Sequence, residues 1–210
     1  MKILFCTIYL FSFSASVPHQ IPVFKAVQAK DADFMGKIDD EPAEVLPGCS
    51  WYCGGNVTGF KVSSSLAPAG KISFSANKAH DFDITTAWVE GKPDNGIGEY
   101  LEYAIDMTAD NASQKLGITQ IILANGYKKS KATWQENARV KKLKMVVNGK
   151  PYGMLELLDA IEFQVIDIGK IMLPPQKITT IRFEIVEVFP GSKYKDTAIS
   201  ELLFDGVGVH

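Results

Sequence analysis

Histidine and cysteine are both scarce in this chain, with three of each among 210 residues. The histidines, His19, His80 and His210, are far apart, so no zinc knuckle or histidine-based catalytic set can be read from spacing. There is no G-x-S-x-G elbow, no H-E-x-x-H pair, no P-loop and no dinucleotide-binding glycine run. Internal repeats and low-complexity tracts are absent too. Neither sign of charge dominates: 22 basic residues face 24 acidic ones, for a net charge of −2 and a pI near 5.9. That balance excludes a whole-protein footprint for nucleic acid. Only one apolar run is prominent, at the N-terminus, and it is too short for a comfortable transmembrane span.

That run, in MKILFCTIYLFSFSASVPHQ, has one lysine before Ile3–Phe13 and small residues after it. This is the layout of a secretory signal peptide, and residues 1–17 are expected to be removed on export to the periplasm, cell surface or exterior. Loss of Cys6 with it would leave Cys49 and Cys53, in CSWYCGG. In an oxidising compartment such a pair reads as a small disulfide that fixes a turn. Free thiols and a metal or redox pair are the alternatives, though CSWYC lacks C-x-x-C spacing. Residues 18–48 show no sustained period and read as an irregular lead-in to one domain over 49–210.

What is abundant is strand signal. In GEYLEYAIDM, Leu101, Tyr103, Ile105 and Met107 alternate with polar neighbours. ITQIILANG puts Ile121 and Leu123 in a core. ARVKKLKMVVNGK turns Leu143, Met145 and Val147 away from Lys142 and Lys144, and Asn148-Gly149 then supplies a hairpin turn. TTIRFEIVEVF points Ile181, Phe183 and Ile185 inward, and AISELLF closes the domain. Helical signal is thin: LELLDAIEF (155–163) is expected to form a turn or two, and DNASQKLG (110–117) a short connection. Short strands with Pro, Gly and Asn turns, and no βαβ spacing, predict an all-β antiparallel sandwich or jelly roll.

Several words occur in order along this pattern: KVSSSLAP (61–68), SANKAHDFDITTAWVEG (75–91), GIGEYLEY (96–103), ILANGY (122–127), ENARVKKLKM (136–145) and VFPGSKYKDTAISELLF (188–204). Together they resemble the discoidin-like, coagulation factor 5/8 type C branch of the galactose-binding-like sandwiches. The similarity is closest to the version attached to bacterial NAD glycohydrolases as a glycan-binding and translocation domain, and it spans roughly residues 49–205. The toxin's catalytic domain has no counterpart here. The resemblance therefore implies a non-catalytic binding module, with a glycan or glycoprotein surface as partner. A structural or protein-interaction role on the same scaffold is the alternative, and a glycoside-acting enzyme the remote one.

In HDFDITTAW, Asp81, Asp83 and Thr86 place oxygens close together on a tight turn, as Ca²⁺ requires. Related sandwiches often bind calcium at the matching loop, with a glutamate near the C-terminus that here is Glu201. The usual aspartate-glycine is Asp81-Phe82 in this chain, an awkward exchange because phenylalanine does not take left-handed angles cheaply. The alternative is a turn held by its own Asp81 and Thr86 hydrogen bonds without metal. For sugar binding, an aromatic platform with polar neighbours is needed. Trp51, Tyr52, Trp88, Tyr127, Trp134 and Tyr194 are the available rings, and Trp88 reads as core. Trp134 sits in the polar loop GYKKSKATWQEN with Asn125, Tyr127, Glu136, Asn137 and Arg139 around it, and is the first candidate. A basic stretch from Lys128 to Lys150 suits either an anionic partner or a solvated strand face. Glu90 and Glu99 stand near the same loops, where a glycosidase pair and plain loop capping are both open.

Overall fold

The structure is a computed structural model, and it describes residues 21–29, 57–108 and 116–207. Eleven strands and one short helix account for most of them. Along the chain they are β1 (Val23–Lys25), β2 (Val27–Gln28), β3 (Val57–Val62), β4 (Trp88–Val89), β5 (Tyr100–Asp106), β6 (Gly117–Asn125), α1 (Lys131–Glu136), β7 (Ala138–Val147), β8 (Lys150–Glu156), β9 (Gln164–Met172), β10 (Ile178–Phe189) and β11 (Thr197–Val207). The signal segment, Cys49, Cys53, Trp51 and Tyr52 lie outside the described residues.

One layer of the sandwich runs β3-β5-β10-β7-β8 and the other β9-β6-β11. All these neighbours are antiparallel. The layers join where the start of β11 runs parallel to the start of β7, at Thr197↔Ala138 and Ala198↔Arg139. Period-two alternation produces the core. Leu101, Tyr103 and Ile105 of β5, Leu143 and Met145 of β7, and Ile181, Phe183 and Ile185 of β10 are all buried, while their alternates face outward. Tyr103, Phe183 and Phe204 meet edge to face or tilted at the centre, with ring centroids 5.1–6.2 Å apart. Strand β11 is buried on both faces from Thr197 to Phe204, because loops cover its outer side.

Two sequence expectations give way. The stretch 155–163, read as a helical turn or two, starts inside β8 and is irregular from residue 157, where Gln164 holds it by bonding both backbone groups of Leu158. The helix is instead α1, in the polar loop after β6. Ser130 caps it by accepting from the Thr133 amide at 3.1 Å, and the Thr133 hydroxyl accepts from the Ser130 amide at 2.9 Å. Within the expected irregular lead-in, residues 21–29 form a strap. Its β1 runs parallel to β8 and its β2 antiparallel to β9, so it spans one edge of each layer. Phe24 stacks on Tyr152 at 5.9 Å and lies against Gly153, where a side chain would meet its ring.

Candidate functional site

Strand directions gather the candidate loops at one end of the sandwich. β3, β6, β8 and β10 finish there, and β5, β7, β9 and β11 start there. The segments 126–137, 157–163 and 190–196 therefore share that end, together with the two ends of the long 63–99 segment.

The Trp134 neighbourhood is a braced corner. The Trp134 indole N–H donates to the Asn125 carbonyl at 2.9 Å, and Gly126, at φ +86°, lets the ring sit flush on the backbone. The Arg139 guanidinium lies 4.5 Å from the centre of the Trp134 ring. It donates to both oxygens of Asp159, at 2.7 and 3.2 Å, and to the carbonyls of Trp134, Asn137 and Pro190. Several of the candidates are turned inward. Asn125 is fully buried and bonds both backbone groups of Val140; Tyr127 packs edge-on against Phe74; Asn137 donates to the Thr133 carbonyl. Arg139 is buried as well, so Trp134 and Glu136, both half-buried, and the exposed Asp159 carboxylate are nearest the surface.

The 190–194 loop is stitched to this corner. Amides of Ser192, Lys193 and Tyr194 donate to the carbonyls of Gln135 and Glu136. Gly191 is pressed on the Glu136–Asn137 backbone so tightly that no side chain would fit. As a result Tyr194, 42% exposed, stands beside Glu136, with Lys193 4.8 Å over its ring and 3.6 Å from the Glu136 carboxylate. Tyr194 and Asp159 are the residues that sequence spacing could not single out. They enter the corner from positions 58 and 20 residues away from those they join, Glu136 and Arg139, and only the Gly191 contact marks the approach.

The loop around Asp81 lies on the side of the sandwich, against β11. Asp81 receives Lys78 Nζ at 2.8 Å and the Thr86 hydroxyl at 3.0 Å. The Thr86 hydroxyl has one proton, yet it lies within 3.5 Å of both Asp81 oxygens and the carbonyls of Asp83 and Lys78. Asp83 turns its carboxylate to Thr85, so its carbonyl is what faces this cluster. Glu201 completes it. The residue is fully buried and neither carboxylate oxygen has a hydrogen bond in good geometry. Burial, reinforced by Asp81, pushes its pKa up to about 9, against the pull of the Asp83 and Phe82 amides. Among the described residues no three acidic, histidine or cysteine side chains converge on one point. A hard cation would therefore rely on the carbonyl and hydroxyl oxygens as well, which Ca²⁺ accepts. The surplus of oxygens over donors fits such an ion, although Lys78 already supplies one positive charge. Phe82 does adopt left-handed angles, φ +62°, an arrangement that costs about 1–3 kcal/mol.

Glu90 and Glu99 act as loop caps. Glu90 is buried against Gly96 and accepts from the amides of Lys92 and Thr197; Glu99 accepts from the hydroxyls of Ser63 and Ser64. Trp88 is core, its N–H bonded to the Ser64 carbonyl at 3.0 Å.

Residues 51–205 match the model of the NAD glycohydrolase translocation F5/8 type C domain. The chain belongs to this family. Similar solved structures include the CBM32-1 and CBM32-2 domains from Clostridium perfringens ZmpB, with TM-score 0.55, 10% identity and 91% of this chain covered. The same two domains in complex with GalNAc give TM-score 0.54 at 11% identity, again over 91% of this chain. This F5/8 type C chain spans only about two-fifths of the length of those structures, 42% and 41% respectively. At such identities the likeness shows the fold alone. No curated protein matches the chain. Among the described residues no helix is long and apolar enough to cross a membrane.

Proposed function

We propose that this F5/8 type C domain is an exported, non-catalytic module that binds a neutral carbohydrate at its loop end. The observation that carries this is the exposed Tyr194 ring, in a loop locked by backbone hydrogen bonds to Gln135 and Glu136, with the Glu136 carboxylate and Lys193 beside it. A sugar ring needs a flat apolar surface for its C–H face and fixed donors and acceptors for its hydroxyls. Trp134 and Arg139 hold that corner rigid, and Trp134 adds its half-exposed edge. Asn125, Tyr127 and Asn137 contribute from behind, by holding the loops. Fold-level kinship with carbohydrate-binding modules supports the same reading. Calcium at Asp81, Thr86, the Asp83 carbonyl and Glu201 has a structural part, fixing the loop against β11.

The test is a broad glycan array, probed with the mature protein in calcium and in chelator, beside Tyr194→Ala and Trp134→Ala. Selective binding by the wild type, lost in Tyr194→Ala, is expected. A blank array from folded protein would overturn carbohydrate recognition.

A further inference from the structure

The outer face of the β3-β5-β10-β7-β8 layer has a cavity of about 230 Å³ toward the end opposite the loop corner. Its charged rim comes from three strands: Glu102 of β5, Arg182 and Glu184 of β10, and Lys144 of β7. Val146 and Pro151 supply an apolar wall, and Thr180 a hydroxyl. The concavity has a local cause. A register shift between Met145 and Val146 bends the β7–β8 hairpin, as bulges do. The Asn148-Gly149 turn is then fastened over β10, because Asn148 exchanges hydrogen bonds of 2.9 Å with both backbone groups of Thr180.

The side chains around it are held in place. Arg182 donates through Nε and Nη2 to one Glu102 oxygen, at 2.9 and 2.8 Å, and its guanidinium lies 4.1 Å from the Tyr100 ring centre. Lys144 Nζ is 3.7 Å from Glu184. Surface ion pairs of this kind add little to stability, so stability does not account for such a set around a hollow. Their chemistry suits recognition. Two carboxylates offer acceptors and the cations paired with them offer donors, while Val146 and Pro151 present an apolar patch.

We infer that this cavity is a second saccharide subsite, distinct from the loop end, and that it takes a neutral sugar. The inference rests on the reading of the domain as a carbohydrate binder. A polyhydroxylated ring uses acceptors and donors together and stacks its C–H face on the apolar wall, whereas an anionic ligand would have to compete with Glu102 and Glu184 for Arg182 and Lys144.

Backbone amide NMR titrations of the full chain separate the two sites, with galactose, N-acetylglucosamine and galacturonate as probes. At least one neutral sugar is expected to shift amides of residues 146–149 and 180–182, in the wild type and in Tyr194→Ala alike. Arg182→Met should lose those shifts, and Val146→Phe, which fills the hollow, serves as an independent check on a folded protein. Silence on this face with both neutral sugars, or a response to galacturonate alone, would overturn the subsite. If loop-end amides at 134–139 and 190–194 still move, only the sheet-face site has failed; if neither region moves for any sugar, both readings have.

Discussion

Lys128 is 2% exposed, with its ammonium 4.2 Å from the centre of the Phe163 ring. Burial lowers its pKa to about 8, against the upward pull of Glu162 and Glu201. Because the folded value is below the unfolded one, the lysine destabilises the fold where it must carry charge. Stability from this group is complete above about pH 10.5 and is lost as pH falls toward about 8. Its full size is at most about 3 kcal/mol. Lys128→Met is therefore expected to be more stable than wild type at pH 7, the difference closing toward pH 10.5; denaturant melts at several pH values measure it, and a pH-independent difference would contradict it. Glu201 makes a second residue-scale prediction. Calcium should raise the wild-type Tm, since a ligand that binds only the folded state stabilises it. Glu201→Gln, nearly isosteric with the protonated acid, should fold without calcium but show no such rise. At this scale the sequence was partly legible. Oxygen-bearing residues in HDFDITT and Glu201 announce a cluster, but nothing local says that Asp83 spends its carboxylate on Thr85 or that Lys78 reaches Asp81.

The strands were readable because alternation is a local signal: β5, β7 and β10 bury the residues their patterns name, except Val147 at the end of β7, which is partly buried. Short irregular elements were not. Helix α1 has six residues, too few to show a period, and only its Ser130–Thr133 cap marks it. LELLDAIEF has the composition of a helix, yet tertiary pairing takes Leu155 and Glu156 into β8. The strap was equally hidden, because β1 and β2 amount to five residues whose partners lie more than 130 positions away. It has a consequence of its own. Without residues 21–29 the outer edges of β8 and β9 would present unpaired backbone groups, a template for other chains. Deleting the segment through Ala29 is expected to give a less stable protein that self-associates, visible by light scattering after gel filtration. A truncated form that stays monomeric with an unchanged Tm would show that the strap is dispensable.

Over the whole molecule, the strand half of the basic stretch from Lys128 to Lys150 resolves into pairs. Arg139 meets Asp159, Lys141 and Lys142 meet Glu187, Lys142 also meets Glu156, and Lys144 meets Glu184. Their acids come from β8, β10 and a loop, so the surplus seen along β7 is offset in space. That pairing predicts no retention on a heparin column at physiological salt; firm, salt-dependent retention would instead point to an anionic partner. The fold was legible as a whole because several spaced words and the strand pattern agree on one architecture. The site was less so, since Tyr194 joins Glu136, and Asp159 joins Arg139, only through β-sandwich connections that no local window contains. Sugar binding at this corner is tested by calorimetry: the Kd of wild type and Tyr194→Ala for the strongest glycan on the array. A loss of about tenfold or more, equivalent to ~1.4 kcal/mol, is expected in the variant. An unchanged Kd in a folded Tyr194→Ala protein would contradict a binding site at the loop end.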